Sequence, residues 1–161
     1  MKARTAQSLP LSGGLGFLRR MWRLNHAMEA LSLRMERRLG ITAQQRLLLR
    51  CVGKFPGITP GQLAELLCLD RGTVSATTRR LSEKGLLMRE AGSWDRRRAL
   101  LGLSVKGRRL DQPLAGTVES AVEKLLAQTP ACDIAVTARA VERLIALLDL
   151  ESPRKATKAA G

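Results

Sequence analysis

The sequence predicts a mainly α-helical fold of the α+β type, with one β-hairpin among several helices. Three observations predict it. Apolar residues recur with helical spacing along most of the 161 residues. A short stretch after Gly85 alternates in the manner of strands. Aromatic residues make up only 2% of the chain, so the core must be built from aliphatic side chains, which favours packed helices over a β-sandwich.

The first 40 residues predict an arm followed by one long helix. Residues 1–14 combine Gly, Ser and Pro with basic residues, and we expect them to be a disordered arm. From Leu15 to Leu39 apolar residues follow 3.6-residue spacing. Gly40 is a typical helix stop, because glycine adopts the left-handed conformation that ends many helices.

The next three helices are predicted from their N-caps. Thr42 begins one of them, with Gln45 three residues later completing a capping box. Thr59 and Asp70 begin two short helices that are separated by a tight turn near Cys68. Two short helices with this spacing predict a helix-turn-helix.

The pattern after the second of these helices predicts a β-hairpin. Residues 86–88 are an apolar strand, residues 91–93 contain turn-forming Gly and Ser, and residues 94–98 form a polar, basic tip. Leu101 and Leu103 then alternate with small residues in a second strand. A hairpin that follows a helix-turn-helix is a wing, so the predicted lobe is a winged helix-turn-helix.

The remainder of the chain predicts further helices and a basic tail. Ser104 is a candidate N-cap, and Pro113 must kink or break the helix that follows near Gln112. A last helix follows Pro130, and residues 151–161 are expected to be a disordered tail. The expected organisation is therefore an arm, a helix, the winged lobe, further helices and a tail, over residues 1–14, 15–40, 41–104, 105–150 and 151–161.

Charge indicates a polyanionic partner. The chain has a formal net charge of +14 and a pI near 11.3. Residues 70–109 contain 11 basic and 4 acidic residues, so this stretch of 40 residues holds +7 of the total. A concentration of positive charge on one lobe favours nucleic acid as the partner.

Other classes of function are disfavoured. No apolar run approaches the roughly 18 residues of a membrane span, and no secretory signal is evident, so we expect a cytoplasmic protein without a membrane partner. Cys51, Cys68 and Cys132 are too widely spaced for a zinc site or a disulfide framework. With one histidine, His26, no catalytic triad converges. We expect no enzyme activity and no cofactor.

Two groups of residues are candidates for contact with double-stranded DNA. The apolar stripe of the helix after Asp70 faces inward, which leaves small, hydroxylated and basic residues on its outer side. At the hairpin tip, arginines suit the negative potential of a narrow minor groove, and a neighbouring aspartate can orient one of them. The candidate residues are Arg71, Thr73, Ser75, Ala76, Arg79, Arg89, Asp95, Arg96, Arg97 and Arg98.

The sequence resembles the MarR-type (multiple-antibiotic-resistance) family of transcriptional regulators. The resemblance is carried by Gly85-Leu-Leu-Met-Arg89, Asp95-Arg96-Arg97 and Leu103-Ser104-Val-Lys-Gly107, and less specifically by residues 40–45 and 63–67. It covers roughly residues 15–150. It implies a homodimer whose first helix and last two helices interlock with the partner's, on a pseudo-palindromic operator, and more often a repressor than an activator. Independently of the family, a two-fold dimer should need half-sites about one DNA turn, or roughly 10 bp, apart.

The resemblance also implies roles for individual residues. Asp95 would position Arg97 in the minor groove. A small aromatic or phenolic effector would bind between the dimer helices and the DNA-binding lobe, and Trp22, His26 and Arg46 are the candidate residues for its pocket. The sequence departs from the family pattern at Arg46 and at Ala76. It also departs at Thr77 and Thr78, and this last departure predicts looser packing behind the recognition helix, which is the helix after Asp70.

Two alternatives stay open at this point. The charge is also compatible with a sequence-independent architectural DNA-binding protein, which would bind all duplexes alike. A winged helix can instead use its basic face to bind an acidic protein, in which case arginine substitutions would leave DNA binding unchanged.

Overall fold

The chain forms seven helices and one two-stranded sheet within residues 11–91 and 99–151, the residues that the computed structural model describes. The elements are α1 Gly13–Leu39, α2 Ala43–Lys54, α3 Pro60–Leu66, α4 Arg71–Glu83, β1 Leu87–Ala91, β2 Ala99–Leu103, α5 Val105–Leu110, α6 Val118–Gln128 and α7 Ala131–Glu151. The mainly helical α+β fold class predicted from the sequence is confirmed. The chain divides into two compact units, residues 1–120 and 121–161.

The first helix begins earlier than the sequence predicted. Gly13 and Gly14, expected in the arm, lie in the first turn of α1. Gly16, in the same turn region, is buried, and a Cβ atom there would lie 2.5 Å from the carbonyl oxygen of Leu11. Residues 1–10 of the predicted arm lie outside the described residues.

Helix stops and starts follow the predicted local chemistry. Gly40 adopts φ 74° and donates its N–H to the carbonyl of Glu36 at the end of α1. Thr42 and Gln45 form the predicted capping box of α2, and Thr59 forms a second one with Gln62 at the start of α3. These caps satisfy N–H groups that a helix cannot pair internally, so each helix begins where its cap lies.

The core of the first unit is aliphatic and lies among α2, α3, α4 and the hairpin. Its fully buried side chains include Leu48 and Leu49 of α2, Leu63 of α3, and Val74 and Leu81 of α4. Buried aliphatic side chains of this size stabilise a fold by about 1.5–3 kcal/mol each. This packing holds α3 and α4 in a fixed relation, with the outer face of α4 left free.

The turn between α3 and α4 has a Schellman geometry with a cysteine at its left-handed position. The N–H of Leu69 donates to the carbonyl of Ala64 at 3.0 Å, and that of Cys68 to Glu65 at 3.2 Å. Cys68 has φ 51°, a conformation in which a Cβ atom is strained. Gly85 occupies the equivalent position after α4, with φ 69°.

Replacing Cys68 with glycine is expected to stabilise the protein. Relief of the left-handed strain outweighs the entropy that glycine loses on folding, and we expect the free energy of unfolding to rise by about 0.5–1 kcal/mol. Urea denaturation of Cys68→Gly and wild type measures the difference. Cys68→Ala is the control, because it removes the thiol and keeps the Cβ atom; equal gains in both variants would contradict the backbone explanation.

The hairpin forms the predicted wing with a shifted first strand. β1 and β2 are antiparallel, with Leu87 opposite Leu103 and Ala91 opposite Ala99. The prediction that the turn begins at Ala91 is wrong, because Ala91 is still part of strand β1 and pairs with Ala99. Leu86, expected in the strand, instead donates its N–H to Leu81 in the turn that ends α4. The predicted tip residues 94–98 lie outside the described residues.

Pro113 breaks the helix rather than kinking it. Ser104 caps α5 as predicted, accepting from the N–H of Gly107 at 2.9 Å. α5 then ends at Leu110, and residues 111–117 form a connector before α6 begins at Val118. Proline lacks an N–H and collides with the preceding turn, which accounts for the break.

The second unit is helical and contains the end of α6 together with α7. Neither α6 nor α7 contains a buried residue. The apolar side chains that remain exposed on them include Val122, Leu125, Leu126, Val136, Ile145, Leu147, Leu148 and Leu150. Glu151, expected in the tail, is the last residue of α7.

Candidate nucleic-acid interface

Helix α4 presents a basic, small-residue face to solvent. Val74 and Leu81 are buried, which fixes the orientation of the helix, and Arg71, Ser75 and Arg79 are exposed on its other side. Thr73 and Ala76 are half-buried. The structure therefore brings the five candidate residues of this helix onto one element, with its longest cationic side chains free to reach a groove.

Arg79 keeps most of its surface free. Its Nε lies 3.6 Å from the Oε1 of Glu83 one turn later, and its side chain is 73% exposed. An exposed ion pair of this kind contributes about 0.3–0.5 kcal/mol, less than a guanidinium gains from pairing with a guanine edge. Glu83 therefore does not prevent Arg79 from contacting DNA.

Asp70 caps α4 through Thr73. Its Oδ1 accepts from the N–H of Thr73 at 2.8 Å, and its Oδ2 accepts from the Thr73 hydroxyl. The Thr73 hydroxyl, followed by the Thr73 N–H, lowers the pKa of the Asp70 carboxyl below its ordinary value, because both donate to the charged form. The hydroxyl proton of Thr73 is thus directed at the cap, which leaves its lone pairs and methyl group for other contacts.

The Asp70 cap is expected to make the stability of α4 depend on pH. Because folding depresses this pKa, the stabilisation is present above the ordinary aspartate pKa and is lost as the pH falls below about 4. Thermal denaturation from pH 6 to pH 3 should show the advantage of wild type over Asp70→Asn shrinking toward the acid end. Asp149→Asn on α7 is the control, and parallel curves for wild type and Asp70→Asn would contradict the charge effect.

Arg89 joins the base of the wing to α4, which is the second helix of the helix-turn-helix and therefore its recognition helix. Its Nη2 donates to the hydroxyl of Thr78 at 3.2 Å, and Thr78 in turn donates to the carbonyl of Ser75 at 3.0 Å. Thr78 is fully buried and Thr77 is 7% exposed. Thr78 therefore provides a polar tie between α4 and β1 in place of the looser packing that the sequence predicted. The candidate wing residues Asp95, Arg96, Arg97 and Arg98 lie outside the described residues.

The residues predicted for an effector pocket are not brought together. Trp22 and His26 lie on the exposed side of α1, in a groove of about 750 Å³ that Leu15, Leu18 and Arg19 also line. Arg46 does not line that groove. It is 1% exposed and donates to the carbonyl groups of Leu110 and Gln112, so its observed contacts are all internal.

Sequence reasoning missed the residues that hold the connector and α5. Arg38 donates to the carbonyl of Ala115 at 2.6 Å, and Arg50 lies 3.1 Å from Asp111. Gly107 is buried where a Cβ atom would overlap the carbonyl oxygen of Leu86. The cap at Ser104 could be predicted because it is local in sequence. The partners of Arg38 and Arg50 could not, because they lie far away in sequence.

Two features are absent from the described residues. None of their helices is long and apolar enough to cross a membrane. No group of three or more His, Cys, Asp or Glu side chains among residues 11–91 and 99–151 is arranged to hold a metal ion.

Two helices joined by a tight turn and followed by an antiparallel hairpin define a winged helix-turn-helix protein. Residues 41–99 match the sequence profile of the MarR family. This segment belongs to the MarR family, and the chain has the winged-helix fold of MarR-family transcriptional regulators. No curated protein sequence matches the chain.

Three solved structures illustrate the similarity. The PcaV regulator of Streptomyces coelicolor, in complex with its natural ligand, is 28% identical; the match covers 86% of this chain and 96% of PcaV with a TM-score of 0.66. FabT of Streptococcus pneumoniae, in complex with DNA, is 25% identical over 84% of this chain and 94% of FabT, TM-score 0.62. MepR of S. aureus, also in a DNA complex, shares the fold at 22% identity over 85% of this chain and 99% of MepR, TM-score 0.68.

Proposed function

We propose that this protein is a homodimeric, sequence-specific DNA-binding repressor of transcription. The observation that carries the proposal is the outer face of α4, where Arg71, Ser75 and Arg79 are exposed beside the wing. Small residues allow a helix to lie deep in a major groove, and arginine reads guanine there. FabT, which shares this fold at 25% identity, was solved in complex with DNA, and this supports DNA as the partner.

The homodimer is supported by the exposed apolar surface of the second unit. Leu125 is 55% exposed, Leu147 60% and Leu148 57%. Contiguous apolar surface on a folded protein marks an interface more often than a solvated face. A second copy of the chain is the proposed partner, and a two-fold dimer would place its two recognition helices about one DNA turn, or 10 bp, apart.

A small aromatic or phenolic ligand is the proposed effector. PcaV, at 28% identity, was solved with its natural ligand. In this chain the groove on α1 combines the indole of Trp22 with the cations Arg19 and Arg23, which suits an aromatic molecule with a negative group. A ligand that binds the DNA-free arrangement better would lower operator affinity by shifting the population of the dimer.

Fluorescence polarisation tests the proposed function directly. The probes are a duplex from upstream of the protein's own gene and a scrambled duplex of equal length, each titrated over a range of salt concentrations. We expect the native duplex to bind about 10³-fold or more tightly. If both duplexes bind with equal affinity, and both affinities fall together as the salt concentration rises, the result instead favours a sequence-independent architectural binder. The charge of +14 also suggests such a protein.

The exposed arginines of α4 are expected to supply much of this preference. Arg71→Ala and Arg79→Ala should each weaken operator binding by about 1–3 kcal/mol, which is roughly 5- to 150-fold, because each loses a guanine or phosphate contact. Competition against the scrambled duplex separates the two kinds of contact. Loss of a guanine contact lowers the ratio of the operator affinity to the scrambled-duplex affinity. Loss of a phosphate contact weakens binding to both duplexes and lowers the salt slope by about one.

Arg139→Ala is the matched control for these variants. Arg139 is an exposed arginine of α7, so the variant removes the same charge from the second unit. If the α4 variants bind the operator with the same affinity as Arg139→Ala, only the overall charge of the protein matters for binding.

A further inference from the structure

Backbone hydrogen bonds hold the base of the wing against the segment that precedes α3. The N–H of Leu101 in β2 donates to the carbonyl of Ile58 at 3.0 Å, and the carbonyl of Leu101 accepts from the N–H of Gly57 at 3.0 Å. Leu101 is also the ladder partner of Arg89 in β1. The base of the wing is therefore a framework that is already tied to the start of the helix-turn-helix.

Arg89 begins on the inner face of this hairpin. Side chains alternate between the two faces of a strand, so Arg89 shares a face with Leu87, which is 4% exposed, and with its ladder partner Leu101, which is 1% exposed. Arg89 as a whole is exposed, but its Nη2 donates to the hydroxyl of Thr78 at 3.2 Å, and Thr78 is fully buried. A charged side chain of the wing thus reaches the inward side of α4.

Thr78 passes this contact on to the backbone of α4. Its hydroxyl accepts from Arg89 and donates to the carbonyl of Ser75 at 3.0 Å, so the hydroxyl is used both as donor and as acceptor. Ser75 is exposed and belongs to the face that is proposed to contact DNA. We call this set of three residues, Arg89, Thr78 and Ser75, the wing–helix relay.

The wing–helix relay adds a directional constraint to the packing of α4. Val74 and Leu81 are fully buried, but the burial of apolar surface has no preferred direction. A hydrogen bond weakens steeply once its angle falls below about 120°, so the relay restricts the rotation of α4 about its own axis relative to the hairpin. Base recognition needs such a restriction, because a binding geometry must be held to within about 0.5 Å.

We propose that Thr78 and Arg89 are positioning residues for sequence recognition by α4. The proposal rests on the proposed function, in which the outer face of α4 binds DNA. Thr78 is buried and touches no base, and Arg89 acts through Thr78 rather than through a phosphate group. Without the relay, α4 enters the groove over a range of rotations, which weakens the base contacts of Arg71 and Arg79 and leaves the general attraction to the DNA backbone unchanged.

The ratio of operator affinity to scrambled-duplex affinity tests this proposal. The operator is the duplex from upstream of the protein's own gene. Thr78→Val removes the hydroxyl, keeps the shape of the side chain and leaves the charge of the protein unchanged. We expect operator affinity to fall about 10-fold and scrambled-duplex affinity to stay within about 2-fold of wild type. The salt slope should be unchanged, because no phosphate contact is lost.

Two further threonine variants separate the hydroxyl of Thr78 from simple packing. Thr78→Ser keeps the hydroxyl and removes the methyl group, so its affinity ratio should stay within about 3-fold of wild type. Thr77→Val is the matched control, because it makes the same chemical change at a neighbouring position that is 7% exposed and lies outside the relay. A loss of ratio in Thr77→Val equal to that in Thr78→Val would overturn the proposal in favour of packing.

Arg89→Met removes the other end of the wing–helix relay. It should lower the affinity ratio by about 10-fold, and the double variant Thr78→Val/Arg89→Met should lower it no further, because the two residues act as one unit. If Arg89 acts only as a phosphate contact, Arg89→Met weakens both duplexes alike and lowers the salt slope by about one. Arg89 is exposed, so Arg89→Met tests the proposal even where Thr78→Val does not fold.

The outcomes separate this proposal from the proposed function. A wild-type protein that binds both duplexes equally overturns the proposed function, and this proposal with it. A wild-type ratio that Thr78→Val and Arg89→Met both retain overturns the positioning role alone. An equal loss of affinity for both duplexes in Thr78→Val also overturns it, because a smaller fraction of folded protein weakens all binding alike.

Discussion

Arg46→Met is expected to lower the free energy of unfolding by about 3–5 kcal/mol. The substitution fills a similar volume, so the loss does not come from a cavity. It leaves the carboxylate of Glu119 buried without a cation, and it removes the donors to the carbonyl groups of Leu110 and Gln112. Breaking one half of a buried ion pair is among the most destabilising single changes in a protein.

Urea denaturation followed by circular dichroism measures this loss. Arg50→Met is the matched control, because the Arg50 side chain is 35% exposed and that of Arg46 only 1%, while their partners Asp111 and Glu119 are similarly exposed at 22% and 24%. The more exposed Arg50 pair should contribute only about 0–1 kcal/mol. The double variant Arg46→Met/Glu119→Met should regain part of the stability, since it removes the uncompensated charge. Equal losses for Arg46→Met and Arg50→Met would contradict the explanation by burial.

The parts of the fold that the sequence predicted depend on local chemistry. Thr42, Thr59, Asp70 and Ser104 cap helices because each side chain reaches an N–H group three residues away. Pro113 ends a helix by its own geometry. The outer face of α4 followed from the spacing of the apolar residues that pack inward, so three exposed candidates, Arg71, Ser75 and Arg79, were found without the structure.

The parts that the sequence did not predict depend on distant partners. Arg46 was expected to line a pocket, but its partners lie 64 to 73 residues further along the chain, at Leu110, Gln112 and Glu119. The residues around position 46 contain no pattern that indicates these partners. The role of Thr78 was hidden for the same reason, because its partner Arg89 belongs to the wing.

The position of Gly107 shows how closely α5 approaches the end of the helix-turn-helix. A Cβ atom there would overlap the carbonyl oxygen of Leu86 and lie 3.1 Å from its carbonyl carbon. That oxygen also accepts from the N–H of Ser104 at 3.1 Å, while the hydroxyl of Ser104 donates to the carbonyl of Gly85 at 2.6 Å. The neighbouring atoms belong to the backbone, so no side-chain rotation can make room.

Gly107→Ala is therefore expected to destabilise the protein by about 3 kcal/mol, at the upper end of the range for overpacking. The helix can accept the methyl group only by moving away from Leu86, which breaks the contacts of Ser104 and displaces the base of the wing. Gly102→Ala is the matched control, because a Cβ atom at Gly102 meets nothing within 4 Å, and its effect should stay within about 0.5 kcal/mol. Denaturation midpoints of the two variants measure the difference, and a Gly107→Ala protein as stable as Gly102→Ala would show that α5 moves freely against the lobe.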